Sequence, residues 1–303
     1  MIGISLWLGA DAVSVDDVVS RVQDAADSGF ESAWLPQTAS LDALAALAVA
    51  ARVVPRIRLG TAVVPIQGRH PLPLAQQALT VADAAGPGRF TLGIGVTHKM
   101  VSEGWYGVPY RDAVRLCREE LAALAPLLST ERKADFTGEL LTARVTISMS
   151  VEPPGLVLAA LGPKMIELAG RYTDGTVTWM TGVRTLATHV VPHLRDVMAK
   201  AGRGEPRVIA GLPVCVTDDV AGARERLMPV MAGAAQLPSY RRMLALEGAE
   251  QPTDIAIVGD EATVRERIAE LEAAGVTELL ANPLGSDEER RRTRELLVSI
   301  TRG

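Results

Sequence analysis

Apolar positions along the chain fall alternately into short unbroken runs and into stripes spaced three and four apart. These are the marks of strands buried on both faces and of helices packed against them. Ile2, Ile4, Leu6 and Leu8 alternate at the start and predict a first strand. Ser14 with Asp17 forms a capping box ahead of Val15, Val18, Val19, Val22 and Ala26 at helical spacing, and Gly29 closes that helix. FESAWLP gives a second strand ending at Pro36, and Leu41, Leu44, Leu47, Ala48 and Ala51 stripe a second helix. Residues 57–64 form a third strand, whose exit is punctuated by Pro65, Gly68 and Pro71. A third helix is predicted from Pro73, striped by Leu74, Ala78, Val81 and Ala85 and stopped by Gly86-Pro87-Gly88; RFTLGIG is the fourth strand.

The rhythm breaks at residues 97–150. Residues 97–109 have no regular period, a helix covers about 110–128, and residues 136–139 read as a hairpin turn ahead of the alternating Val145, Ile147 and Met149. This stretch is read as an insertion after the fourth strand. Strands then recur at 155–160, 175–179, 207–216 and 276–281, with helices from Pro163, over about 184–201, through most of 219–247, and from Asp260 to Gly275. Ser286 with Glu289 caps a final helix. Eight strands alternating with helices fit an α/β (β/α)8 TIM barrel better than a doubly wound sheet. No linker or low-complexity segment divides residues 1–303, so one domain is expected.

A net charge of −5 offers no electrostatic pull toward nucleic acid or an anionic membrane. Arg290, Arg291, Arg292 and Arg294 are interleaved with Glu288, Glu289 and Glu295 and read as a solvated helix face. The longest apolar run, residues 43–51, is far shorter than the ~20 residues of a membrane span. No signal peptide is expected, because Met1 leads into ISLWLG without a basic region. Cys117 and Cys215 read as core hydrophobes in a reducing compartment, and a cytoplasmic location is expected.

Candidate chemistry gathers where strands end. In LAALGPKMIELAG, Gly162 stands at an N-cap, Pro163 at the first helical position, and Lys164 offers a positive charge beside free N–H groups. That is a prepared anion site, or simply a helix start. Gly93-Ile94-Gly95 ends the fourth strand and lets a bulky ligand approach backbone. His98, just beyond, can exchange a proton near neutral pH or can be a loop histidine making a surface hydrogen bond. His189 and His193 are spaced for metal on one helix face, but Pro192 interrupts the turn, no HExxH carboxylate accompanies them, and no metal is expected. No Walker lysine motif, GxSxG elbow or CxxC pair occurs.

Three segments together, LGTAVVPIQGRHP, GRFTLGIGVTH and AALGPKMIELAGRYTDGTVTW, resemble the luciferase-like barrel superfamily, and most closely its branch that uses the deazaflavin coenzyme F420. The resemblance covers nearly the whole chain. It implies a flavin-like ring over the carboxyl ends of the strands and a homodimer. It also implies a non-prolyl cis peptide at Ala62–Val63 behind the ring, and a tail phosphate near Leu161, Gly162 and Pro163. Gly95, Val96 and Thr97, and Met180 with Thr181, would flank the cofactor. The glucose-6-phosphate dehydrogenases of the branch carry Asp-His where this chain has Gln37-Thr38, and a glutamate where it has His98, so oxidation of that sugar phosphate is not implied.

The function expected is hydride transfer between deazaflavin and a small organic substrate, with Leu6, Leu8 and Trp179 as an apolar pocket wall and residues 97–109 as a lid. An FMN-dependent monooxygenase on the same fold is the nearest alternative. A cofactor-free barrel acting as a binding module is another, against which the glycines at 93–95 and 162 speak.

Overall fold

The computed structural model describes residues 1–6, 14–110 and 112–302, and in it the strand–helix rhythm closes on itself. The strands are β1 (Ile2–Ser5), β2 (Ser32–Leu35), β3 (Arg58–Thr61), its continuation β4 (Val64–Pro65) and β5 (Phe90–Gly95). After them come β6 (Lys133–Thr137), β7 (Thr142–Thr146), β8 (Gly155–Ala159), β9 (Gly175–Trp179), β10 (Arg207–Val216), β11 (Ile257–Gly259) and β12 (Glu278–Pro283). All pair in parallel except the antiparallel hairpin β6–β7, and β12 returns to β1. The result is a closed (β/α)8 barrel, with β11 added to the far end of β10.

The helices are α1 (Val15–Ser28), α2 (Ala43–Val53), α3 (Pro71–Ala85), α4 (Lys99–Gly104), α5 (Ala113–Leu127) and α6 (Pro163–Tyr172). They continue with α7 (Val183–Thr185), α8 (Val191–Lys200), α9 (Val220–Ala235), α10 (Pro238–Glu247), α11 (Glu261–Ala273) and α12 (Asp287–Arg302). The capping box forms: the Asp17 N–H donates to Ser14 Oγ (3.1 Å), and the Ser14 N–H donates to Asp17 Oδ2 (2.7 Å). Three local expectations are corrected. α3 begins at Pro71, because His70 Nδ1 accepts the Leu72 N–H and caps the helix two residues early. The helix expected over 184–201 is split by a π segment, Leu186–Val190, where Pro192 has no N–H to give the preceding turn. The hairpin turns at 138–141 rather than 136–139, because the Glu119 carboxylate gathers the N–H groups of Glu139, Leu140 and Leu141. No helix among the described residues is long and apolar enough to cross a membrane.

Strand register decides what the barrel contains. At its amino end Glu278 accepts from the Ser32 hydroxyl and from Trp34 Nε1 (2.7 Å), and Arg207 stands 3.6 Å from its other oxygen. Gly60 has no side chain because a Cβ there would collide with the Trp34 ring. Above this plug lie Val157, Val177, Ile209 and Leu280, and on them rest Ala62, Val63 and Ala159. The interior is thus filled from the bottom up to small side chains at the mouth.

Outside the barrel, Glu120 on α5 is buried with both carboxyl oxygens unpartnered among the described residues, and burial pushes its pKa from the ordinary 4.5 up to about 8. The folded protein therefore keeps this proton over a pH range in which the unfolded chain has lost it. Stability is full below pH 4.5 and declines as pH rises toward 8. Glu120→Met is expected to stabilise the protein by about 2–4 kcal/mol at pH 8 and little at pH 4. Thermal unfolding of both proteins across that range measures the difference.

Candidate active site

The carboxyl end of β3 makes the floor. The Ala62–Val63 peptide is cis, and β3 resumes as β4 beyond it. Strand alternation alone would send Val63 to the helix side, yet Ala62 and Val63 both pack on the interior cluster, and Val64 is the next residue turned outward. Two neighbours fix the step: the Ala62 N–H donates to Leu35 O (3.1 Å), and the Gln37 N–H donates to Val63 O (3.4 Å). On the far side, a Cβ on Gly95 would fall 2.9 Å from the Ala159 Cβ and 3.1 Å from Val63 Cγ2. Glycine there lets three strands meet in a level apolar surface, with Ala62, Val63 and Ala159 partly exposed on it. Such a surface suits a flat ring.

One edge of the floor runs into the start of α6. Gly162 is its N-cap, no side chain caps it, and a Cβ at Gly162 would meet open space. Leu161 is half-buried, and Pro163 and Lys164 are exposed. The next helix start differs. At α7 the Glu247 carboxylate already takes the Arg184 and Thr185 N–H groups, at 3.1 and 2.7 Å. The α6 start beside Lys164 has no such carboxylate among the described residues, which suits the anionic tail of a cofactor.

His98 follows the floor on the β5 side. Its neighbour Thr97 is held by its N–H, which donates to Oε1 of the buried Gln67 (2.9 Å), and Val96 packs partly buried on the core. The His98 ring meets Tyr240 of α10 edge-on, centroids 5.7 Å apart. Burial holds the imidazole below its ordinary 6.5, and burial pushes the Tyr240 phenol up to about 12. At neutral pH a neutral imidazole therefore faces a neutral phenol. Tyr240 and Gln67 are additions that the sequence did not single out. Tyr240 comes from a helix more than 140 residues away, and Gln67 was one polar residue in a loop read for its glycine and prolines.

The structure redistributes the remaining candidates. Trp179 is interior-facing at the carboxyl end of β9, against Gly211, so it reaches the mouth. Leu6 does not: Gly3 and Ser5 share the interior face of β1 with Ser32 and Trp34, which turns Leu6 to the helix side, in a cleft with Arg21, Asp24 and Arg294. Leu8 lies outside the described residues. Met180 and Thr181 are also corrected, since both are fully buried. Met180 turns the chain out of the barrel at φ +53°, and the Thr181 hydroxyl donates to Trp179 O (3.3 Å). The lid expected over 97–109 contains the short helix α4; Met100 on it and Trp105 just after it are exposed. His189 lies in the π segment with Nε2 buried and without a hydrogen-bond partner among the described residues.

A parallel barrel with a small-residue floor at its carboxyl mouth, a helix start without a side-chain cap after β8 and a histidine just past β5 has the form of a site for a flat ring with an anionic tail. The chain belongs to the luciferase-like monooxygenase family, whose model matches residues 1–278. Among curated relatives it is 30% identical over 264 residues to the F420-dependent glucose-6-phosphate dehydrogenase of Nakamurella multipartita, covering 85% of this chain and 73% of that one. It is 28% identical over 256 residues to the F420-dependent hydroxymycolic acid dehydrogenase of Mycobacterium tuberculosis, covering 78% and 69%. The coenzyme F420-dependent tetrahydromethanopterin reductase of Methanopyrus kandleri shares the fold, with a TM-score of 0.82, 22% identity and coverage of 98% and 96%.

Proposed function

We propose that this chain is a coenzyme F420-dependent oxidoreductase, a single barrel domain acting in the cytoplasm as a homodimer on a small organic substrate. The observation that carries the reading is the junction of a level apolar floor with a helix start that no side chain caps. Ala62, Val63, Gly95 and Ala159 would hold the ring. Leu161, Gly162, Pro163 and Lys164 would hold the phosphate of the tail, with Val96 and Thr97 beside them. When bound, the deazaflavin supplies two-electron hydride chemistry with little reactivity toward oxygen. The barrel orients the ring and keeps water from its lower face. His98, kept neutral by burial, accepts or returns a proton at a ring nitrogen, and Tyr240 restricts how that ring can turn.

Gly162 tests the tail site. Its φ of −86° suits any L-residue and its missing Cβ points into open space, so Gly162→Val should fold normally. A branched side chain there would push the phosphate off the helix start and weaken F420 binding by about 1–3 kcal/mol. Fluorescence titration of both proteins with F420 measures this, and equal affinities would remove α6 from the site.

A further inference from the structure

Helix α10 belongs to the connection after β10, yet it touches the site from two other directions. Its carboxyl end meets α7, beyond β9, and its amino end brings Tyr240 against His98, just past β5. In the ring β8 stands between β9 and β5, so α10 runs past the carboxyl end of β8 as a strap. Tyr240, Met243, Leu244 and Glu247 fall at the spacing of one helix face, and Met243 and Leu244 are buried on it. Tyr240 and Glu247 are two turns apart, about 10 Å. The far attachment is built in detail. The Arg184 N–H donates to Glu247 Oε1 (3.1 Å), while the Thr185 N–H (2.7 Å) and hydroxyl (2.6 Å) donate to Oε2. A Cβ on Gly182 would fall 2.3 Å from the carboxylate carbon, so glycine there keeps the seat clear. Met180, Thr181 and Thr185 are all fully buried, which makes that seat a firm one.

We propose that Glu247 is a positioning residue: by pinning the carboxyl end of α10 to the start of α7, it holds Tyr240 against His98 and fixes how the imidazole stands at the mouth. The proposal rests on the reading of His98 as the group that exchanges a proton. Three hydrogen bonds to a carboxylate are a stronger tie than one ring-edge contact, so Glu247 sets where Tyr240 sits rather than the reverse. The amino end of α10 has no side-chain cap, and Tyr240 there depends on the far end for its place. The charged groups nearest His98 on α4, Lys99 and Glu103, stand 4.0 Å from each other at the surface. On α10, Arg241 is exposed and donates to Gln236 Oε1 (2.6 Å), and Arg242 is exposed. The neutral Tyr240 ring is thus the neighbour that shields the imidazole from water on this side.

The test is NMR of the whole cofactor-free protein carrying 13C-labelled histidine, titrated with pH, the His98 signal being assigned by its absence in His98→Gln. The parent should show a His98 pKa below 6.5 and a cross-peak between the His98 and Tyr240 rings. In Glu247→Leu the pKa should rise toward 6.5 and the cross-peak should be lost, with circular dichroism unchanged. Glu247→Gln, which keeps one accepting oxygen, should fall between the two. Tyr240→Leu should raise the pKa by itself, and adding Glu247→Leu to it should raise it no further, because the two act through one contact. Should Glu247→Leu fail to fold, Thr185→Val removes one of the three bonds and should move the pKa in the same direction by less. A His98 that titrates as in the parent in every folded variant of Glu247 and Thr185 would overturn the assignment, leaving Glu247 as a cap of α7 alone. So would effects of Glu247→Leu and Tyr240→Leu that simply add. A fluorescence titration of the parent with F420 judges the cofactor reading separately, since the NMR measurement needs no cofactor.

Discussion

A His98→Gln protein is expected to bind F420 as the parent does and to turn over roughly 10²–10⁴-fold more slowly on a true substrate. Hydride transfer to or from a carbonyl carbon leaves a proton to be managed at oxygen, and His98 is the titratable candidate that follows directly from the end of β5. Its ring does not cap α4, so it is not committed to holding that helix. Glutamine keeps hydrogen-bonding capacity but cannot exchange a proton near pH 7. Because burial lowers the imidazole pKa, the neutral form prevails above pH 6.5. In the oxidative direction kcat/KM should therefore rise with pH and level off at lower pH than an unshifted imidazole would allow, and this rise should vanish in the variant. Full activity in His98→Gln, or a pH profile identical to the parent's, would return His98 to the role of a packed loop residue beside Tyr240.

The larger effect on binding is expected from Ala62→Phe: loss of measurable F420 affinity with the circular dichroism spectrum near normal. Ala62 is a partly exposed side chain on the floor, with Val63 and Ala159 as its neighbours on the interior cluster. The cluster below is closed by Trp34, Val157, Val177, Ile209 and Leu280. A phenyl group has no room downward and must stand up into the mouth, where the ring would lie. Retained F420 binding would show that the ring does not rest on this floor. A collapsed dichroism spectrum would make Ala62→Leu, a smaller obstruction, the variant to titrate.

The barrel was legible because its two periods alternate on both sides of the 97–150 insertion, and the α6 start because Gly162-Pro163 announces itself locally. The floor was harder. Residues 57–64 read as one buried strand, and nothing in their hydrophobicity marks the step after Ala62; that came only from the family resemblance. Leu6 was misplaced for a definite reason. Alternation in β1 separates Ile2, Ile4 and Leu6 from Gly3 and Ser5, but it does not say which set faces inward. In a barrel ringed by helices the bulky set packs on the helices, while Gly3 makes room for Ser32 and Trp34. Met180 and Thr181 followed a strand end correctly located, but the left-handed turn at Met180 removes both from the mouth. The hairpin slipped because its position is set by Glu119, a contact across about twenty residues. Tyr240 meets His98 only through long-range placement, which local pattern does not encode.

The most direct measurement is titration of the cofactor-free protein with F420 and, separately, with FMN under identical conditions. An uncapped helix start beside Lys164 and a floor of small apolar residues predict saturable F420 binding, tighter than that of FMN and weakened by Gly162→Val. Equal affinity for the two, or tighter binding of FMN, would contradict the deazaflavin assignment while leaving the barrel and its family unchanged.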